Sequence, residues 1–210
     1  VSRENGVWTL VLEKINMDTG GYKIILASGS PRRLKFFEEM EIPFSKKVIP
    51  IDENFPDNLK GAEIAEYIVK EKAEPFKAMV EKDEIVITAD TIVWNKNKCL
   101  GKPKDRAEAT QILQSLSNDT HQVITAVGFL QKNKWECIHE ISEVTFGFLS
   151  DEAIQSYIKS GSPMDKAGAY GIQDSFGVQN ILSISGSYTN IIGLPVAQVL
   201  EKLKEIIKEE

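Results

Sequence analysis

Tyr22-Lys-Ile-Ile-Leu-Ala-Ser-Gly-Ser-Pro-Arg-Arg33 changes character at its middle. Tyr22 to Ala27 is a short apolar run with two isoleucines, the pattern of a buried strand. Ser28 to Pro31 breaks it, and Pro31 suits the first turn of a helix with Ser30 at the cap position before it. Leu34, Phe36, Phe37 and Met40 then give that helix an apolar face through about Glu41. Strand, Ser/Gly loop and helix N-terminus in this order bring backbone N–H groups and hydroxyls to one point, a natural anion site. Arg32 and Arg33 add planar guanidinium forks that match phosphate. The same string also reads as a capped helix with solvent-facing arginines, and the residues alone leave both readings open.

Outward from this unit, strand-like and helical segments follow one another. Phe44 to Ile49 reads as a strand, followed by the acidic pair Asp52-Glu53 and a turn-rich stretch to Leu59. Ala62 to Lys72 is helical, with Ile64, Ala65, Ile68 and Val69 on one face, and Pro75 ends or kinks it. Glu84 to Trp94 is the clearest strand, and Asn95-Lys-Asn-Lys98 turns it back into Cys99-Leu100 before Gly101-Lys-Pro103. A helix is expected over Asp105 to Leu116, long strands over His121 to Leu130 and Trp135 to Leu149, and a helix capped by Ser150 to about Lys159. A loop over Gly161 to Gln173, a strand over Val178 to Ser185, a Gly/Ser turn over 186 to 195 and a closing helix from Gly193 complete the chain. Mixed strands and helices with hairpins in the middle predict an α/β domain, a mixed β-sheet with flanking helices. Residues 1–21 are weakly patterned and read as an N-terminal extension that pairs or packs peripherally. Residues 22–210 read as one domain.

The chain has 210 residues with Lys+Arg 25 against Asp+Glu 31, a net charge of −6. That balance disfavours a nucleic-acid coat, which needs a basic face, but it allows a local cationic cluster for a small anion. Cys99 and Cys137 have no metal-ligand spacing and read as buried free thiols. His121 and His139 are too far apart for a histidine zinc site and read as ordinary polar strand residues. No apolar run approaches membrane-spanning length and the first residues lack a signal pattern. The expected setting is the cytoplasm, with no membrane partner.

Asp90 interrupts the apolar run Ile85-Val-Ile-Thr-Ala89, where a lone buried carboxylate would be costly. It reads either as a ligand for a divalent ion or proton acceptor, or as a structural Asp bonded to a turn. Glu53 is a candidate second oxygen ligand or part of a solvated acidic loop. Lys102 is aimed by Gly101 and Pro103, while Lys72 near its helix end also reads as a snorkelling surface lysine. Lys166 lies in Asp165-Lys-Ala-Gly-Ala-Tyr-Gly-Ile-Gln173, where Gly168 and Gly171 allow close approach of backbone to a ligand. Gln173 can read a base edge because its amide both donates and accepts.

Together, Ser28-Gly-Ser-Pro-Arg-Arg33, Ala89-Asp-Thr-Ile-Val93, Gly101-Lys-Pro103, Asp165 to Gln173, and Gly186-Ser-Tyr188 with Gly193-Leu-Pro195 resemble the Maf family of nucleotide pyrophosphatases over about residues 22–208. The resemblance implies an elongated, two-lobed body with a deep central cleft. It also implies hydrolysis of a nucleoside triphosphate to the monophosphate and pyrophosphate, and a divalent metal. Asp90 looks like the family's proton acceptor. Arg32, Thr91 and Gln173 fall on the positions that separate its subfamilies, and they match the dTTP/UTP-directed set rather than the Trp, Gln and Glu of the 7-methyl-GTP branch. Ser28, Arg33, Glu53, Lys72 and Lys102 match other polar pocket positions, and with Lys166 they supply phosphate-binding and metal candidates. Oxygen ligands from Glu53 and Asp90 favour magnesium, manganese or cobalt over zinc. Asp174 departs from the family, which usually has glycine after the glutamine. The family's link to septum formation leaves a second expectation, a non-catalytic nucleotide-binding regulator of cell division. A homodimer is expected by analogy.

Overall fold

The computed structural model describes residues 2–4, 7–9 and 18–208. Strands β1 (Ser2–Glu4) and β2 (Val7–Thr9) pair antiparallel with each other. The rest of residues 1–17, and with it most of the expected extension, lies outside the described residues.

The body is a seven-stranded mixed sheet in the order β4-β3-β5-β7-β8-β9, with β6 added to β5. Its strands are β3 (Lys23–Leu26), β4 (Phe44–Lys46), β5 (Glu84–Asn95), β6 (Lys98–Leu100), β7 (Thr120–Leu130), β8 (Trp135–Phe146) and β9 (Ile181–Ser185). Strand β5 organises the whole. One edge pairs continuously with β7, antiparallel from Val86 to Trp94. The other edge pairs parallel with β3 over Glu84 to Ile87, then antiparallel with β6 over Val93 to Asn95. Between these stretches, at Thr88 to Ile92, that edge pairs with no strand among the described residues.

Helices cover both faces: α1 (Pro31–Glu39), α2 (Ala62–Ala73), α3 (Arg106–Leu116), α4 (Asp151–Lys159), α5 (Ser175–Asn180), α6 (Tyr188–Ile192) and α7 (Val196–Lys208). Because strand side chains alternate, odd and even residues of β5 enter different cores. Ile85, Ile87 and Ala89 pack with Phe37 of α1 and Val199, Leu203 and Ile206 of α7. Farther along the same face, Val93 packs with α3 and α4 through Leu113, Ile154 and Ile158. On the opposite face Ile92 packs with Ile64, Ile68 and Val69 of α2. The odd-numbered face therefore has two apolar clusters, and Thr91 lies in the interval between them.

Most local expectations hold. Asp105 caps α3 by accepting from the Glu108 N–H at 2.8 Å, and Ser150 caps α4 by accepting from Ala153 at 3.2 Å. Ser30 takes the cap position of α1 but its hydroxyl makes no cap bond. Strand β4 stops at Lys46 rather than Ile49 because its partner β3 ends at Leu26. The expected strand from Val178 begins only at Ile181. The residues before it form α5, which buries Phe176 and Gly177 and leaves Val178 exposed. His121 is no ordinary strand polar residue: it is buried, stacked on Phe146, and its Nε2 meets the Tyr170 hydroxyl at 2.6 Å. Cys99 and Cys137 are free thiols but half-buried, and burial pushes them up to about 11 and about 12. No helix among the described residues is long and apolar enough to cross a membrane.

Candidate functional site

A cavity of about 890 Å³ opens around the unpaired edge of β5. Asp90 and Thr91, neighbours in sequence, point to opposite faces of the sheet, yet both line it. They can do so because no strand among the described residues closes this edge of β5. Ser28, Arg32, Arg33, Glu53, Lys72, Lys102, Lys166 and Gln173 line the same cavity, so with Asp90 and Thr91 all ten candidate catalytic, specificity, phosphate and metal residues come together, whereas Gly186-Ser-Tyr188 does not line it.

On the α2 face, Lys72 Nζ lies 2.6 Å from Asp90 Oδ1 and 2.9 Å from Glu53 Oε1. Lys72 is thus no snorkelling surface lysine: its side chain is mostly enclosed, and it neutralises the carboxylate that interrupts β5. Burial works to raise the pKa of Glu53. The hydrogen bond and charge of Lys72, with the charges of Lys102 and Arg33, outweigh it and hold the carboxyl below its ordinary value. Two carboxylate oxygens converging on one cation is also the arrangement a divalent ion needs. Among the described residues no group of three or more His, Cys, Asp or Glu side chains could hold a metal. Glu53 and Asp90 offer two oxygen ligands to such an ion, whose remaining ligands would have to come from phosphate oxygens and water.

On the opposite face, Arg33 is buried and held on all sides. Its Nε donates to the Gly193 carbonyl at 2.8 Å, Nη2 to Thr91 Oγ1 at 2.9 Å and Nη1 to Ser28 Oγ at 3.4 Å. Burial pushes its pKa down from the ordinary arginine value, and Asp90 acts against that shift. The solvent-facing reading of this arginine does not hold. Arg32 is more open: Nε donates to the Ile192 carbonyl at 3.3 Å and Nη1 lies 3.5 Å from Asp165 Oδ2. Lys102 is exposed at the cavity rim, and its turn is tied to the facing loop by the Gly168 N–H on the Gly101 carbonyl at 3.1 Å.

Lys166 and Gln173 come from the loop after α4. Lys166 Nζ donates to the Ser162 carbonyl and to Asp165 Oδ1, each at 2.7 Å. Gln173 is exposed on the cavity side. Of the two glycines of this loop, Gly171 lines the cavity and Gly168 packs away from it. Gly168 has a φ of +69°, and a Cβ there would stand 2.7 Å from Val93 Cγ2, so its close approach is to β5 rather than to a ligand. At Gly171 a Cβ would meet the Asp174 carboxyl at 2.8 Å.

Sequence reading missed α6. The expected Gly/Ser turn holds a five-residue helix whose C-terminal carbonyls, Ile192 and Gly193, are the acceptors of both arginines. Asn190 fastens this helix beneath the site. Its Nδ2 donates to the Val123 carbonyl at 3.1 Å and Ser142 Oγ at 2.8 Å, while its own carbonyl accepts from Thr125 at 3.0 Å. Thr125 in turn bonds Thr91 at 2.9 Å. The signal available was Ser187, which caps the helix by accepting from the Asn190 N–H, and Gly193 at its end.

Comparison with known proteins agrees with the motif resemblance. The family profile described as Maf: Maf-like protein matches residues 23–206. A dTTP/UTP pyrophosphatase of Flavobacterium johnsoniae is 46% identical over 186 residues, covering 89% of this chain and 96% of the relative. One of Flavobacterium psychrophilum is 51% identical, covering 84% and 91%, and one of Bacteroides fragilis is 42% identical, covering 88% and 96%. Among solved structures, the Ham1 protein of Staphylococcus aureus aligns with a TM-score of 0.42 at 13% identity, over 59% of this chain and 71% of that one.

Proposed function

The chain belongs to the Maf family, and on that premise we propose that it hydrolyses UTP and dTTP to the nucleoside monophosphate and pyrophosphate. The observation that carries this reading is one cavity in which an Asp90–Lys72–Glu53 cluster faces Arg32, Arg33 and Lys102 around an open strand edge. Relatives of similar length that carry the dTTP/UTP pyrophosphatase name support it.

In this reading Lys72 holds one oxygen of Asp90, and the other accepts a proton from the attacking water. The water oxygen bonds to the α-phosphorus. The bond from that phosphorus to the bridging oxygen breaks, and pyrophosphate departs with its electron pair. Arg32 and Lys102 bind the phosphates, Arg33 and Ser28 shape the loop that receives them, and Lys166 adds positive charge from the facing loop. Thr91 and Gln173 stand at the base side. Glu53 and Asp90 would hold a divalent ion such as magnesium, manganese or cobalt, which would supply further neutralisation of phosphate charge. The setting is the cytoplasmic nucleotide pool.

The test is release of pyrophosphate from UTP, dTTP, CTP and GTP with magnesium or manganese. Equal amounts of UMP and pyrophosphate from UTP are expected. Binding of UTP without release would make the chain a nucleotide-binding regulator, and release of orthophosphate would move the attack to the γ-phosphate.

A further inference from the structure

Asp174 lines the cavity, and its carboxylate is engaged by hydroxyls of the protein itself. It stands at the N-cap position of α5 and makes no side-chain cap bond there. Instead Oδ2 accepts from the Tyr157 hydroxyl at 2.5 Å and from Ser162 Oγ at 2.7 Å. Tyr157 is a rigid anchor. It is buried on α4, its ring stacks on Phe176 with centroids 4.4 Å apart and planes 5° apart, and its hydroxyl accepts the Gly171 N–H at 3.1 Å. Burial, and then the bond to Asp174, push the Tyr157 pKa well up, so the hydroxyl stays a donor across the physiological range.

The bond from Ser162 to Asp174 closes a loop whose ends lie twelve positions apart. That loop carries Lys166 and ends at Gln173, the residue before the clamp. Lys166 Nζ also contacts Ser162 Oγ at 3.1 Å and lies 3.6 Å from Asp174 Oδ2. From Lys166 the contacts run on to Asp165 and then to Arg32. A single carboxylate thus ties a fixed helix to the backbone of the base-side residue and, through Ser162, to the charged residues facing the phosphates. Gln173, exposed on the cavity side, takes its aim from that backbone.

We propose that Asp174 is a positioning residue that closes the Ser162–Asp174 loop and so sets the pose of Gln173 and Lys166, governing nucleotide affinity and pyrimidine discrimination without touching the substrate. The inference rests on the pyrophosphatase reading above and goes beyond it in assigning specificity to a residue outside the binding set. A charged acceptor for two hydroxyls is worth more than a neutral one, and its loss loosens the loop rather than removing a catalytic group.

The experiment compares wild type with Asp174→Gly, Asp174→Asn and Tyr157→Phe. It reads kcat and KM for UTP and CTP, the melting temperature, and affinity for α,β-methylene-UTP by calorimetry. Asp174→Gly should raise KM for UTP and weaken analogue binding by about tenfold with kcat within about twofold, the size expected for hydrogen bonds to a charged group. The UTP-to-CTP preference should narrow. Asp174→Asn keeps a neutral acceptor for the hydroxyls and should recover part of the loss, while Tyr157→Phe should reproduce part of it. The proposal is overturned if Asp174→Gly lowers the melting temperature but leaves KM and base preference unchanged, or lowers kcat alone. Calorimetry needs no turnover, so failure of the wild type to release pyrophosphate would count against the enzymatic reading while the clamp is still judged by analogue affinity.

Discussion

The two walls of the cavity are built of different materials. On the α2 side, opposite charges meet directly: Lys72 touches Asp90 and Glu53, and little of the contact is backbone. On the other side, charge meets dipole. Arg33 and Arg32 are held by the carbonyls of Gly193 and Ile192, at the end of a helix that Asn190 pins to the sheet. The first arrangement can move a proton or hold a cation. The second holds Arg33 in place by a carbonyl and two hydroxyls, so its charge remains for an anionic ligand, while Arg32 shares its charge with Asp165 at the open side. A difference in function follows: damage to the α2 wall should strike turnover, and damage to the facing wall should strike binding and selectivity.

The largest effect should come from Asp90→Asn. The amide keeps the size of the side chain but cannot take a proton, and turnover should fall by about a hundredfold or more. Circular dichroism and melting should show a folded variant. Near-wild-type rates in that variant would break the comparison, because the charged wall would then be only structural.

Next comes Lys102→Ala. The lysine stands exposed in the cavity lining, and as a phosphate contact its loss should lower kcat/KM for UTP and dTTP together by about tenfold, the worth of a charge-assisted contact. A loss confined to one base would reassign Lys102 to the base side.

A smaller and more selective effect is expected from Gln173→Glu. Uracil and thymine present an O4 acceptor and an N3–H donor, which one glutamine amide satisfies, whereas cytosine inverts that edge. The glutamate loses its donor, so UTP and dTTP should weaken by several-fold, on the order of one hydrogen bond, while CTP changes less. Specificity constants for the three nucleotides read the outcome. An unchanged ratio would remove the base-reading role from this wall.

The walls also differ in how legible they were in the sequence. The strand Glu84 to Trp94, the break at Asp90 and the helix carrying Lys72 follow from local apolar patterns, and the caps at Asp105 and Ser150 are visible in single residues. The pairing of Lys72 with Asp90 crosses 18 positions between elements whose types were readable. The facing wall depends on contacts no period reveals. Helix α6 has five residues, too few for an amphipathic pattern, and is secured by Asn190 reaching Ser142 across 48 positions. The open edge of β5 was equally hidden, because apolar alternation reports which face is buried and not which neighbour is missing.

The last prediction concerns the support of the facing wall and should leave turnover at neutral pH untouched. Tyr170 lines the cavity, and behind it His121 is buried between Tyr170 and Phe146. Burial pushes the His121 pKa down to about 4 from its ordinary 6.5, with Asp119 acting in opposition. Between those values the unfolded chain binds a proton that the folded chain refuses. Stability is therefore full above about 6.5 and is lost as pH falls toward 4, with a slope approaching about 1.4 kcal/mol per pH unit. Carboxyls held low in the fold, such as Glu53 and Asp119, withdraw their contributions only below their ordinary values of 4.5 and 3.8. Denaturant unfolding between those limits thus reads the histidine first. In His121→Gln, which retains a hydrogen-bonding partner for Tyr170 but does not titrate, the slope between pH 6.5 and 4.5 should flatten. Should the slope persist in the variant, the acid sensitivity belongs to other groups, and the facing wall rests on a support that protonation does not reach.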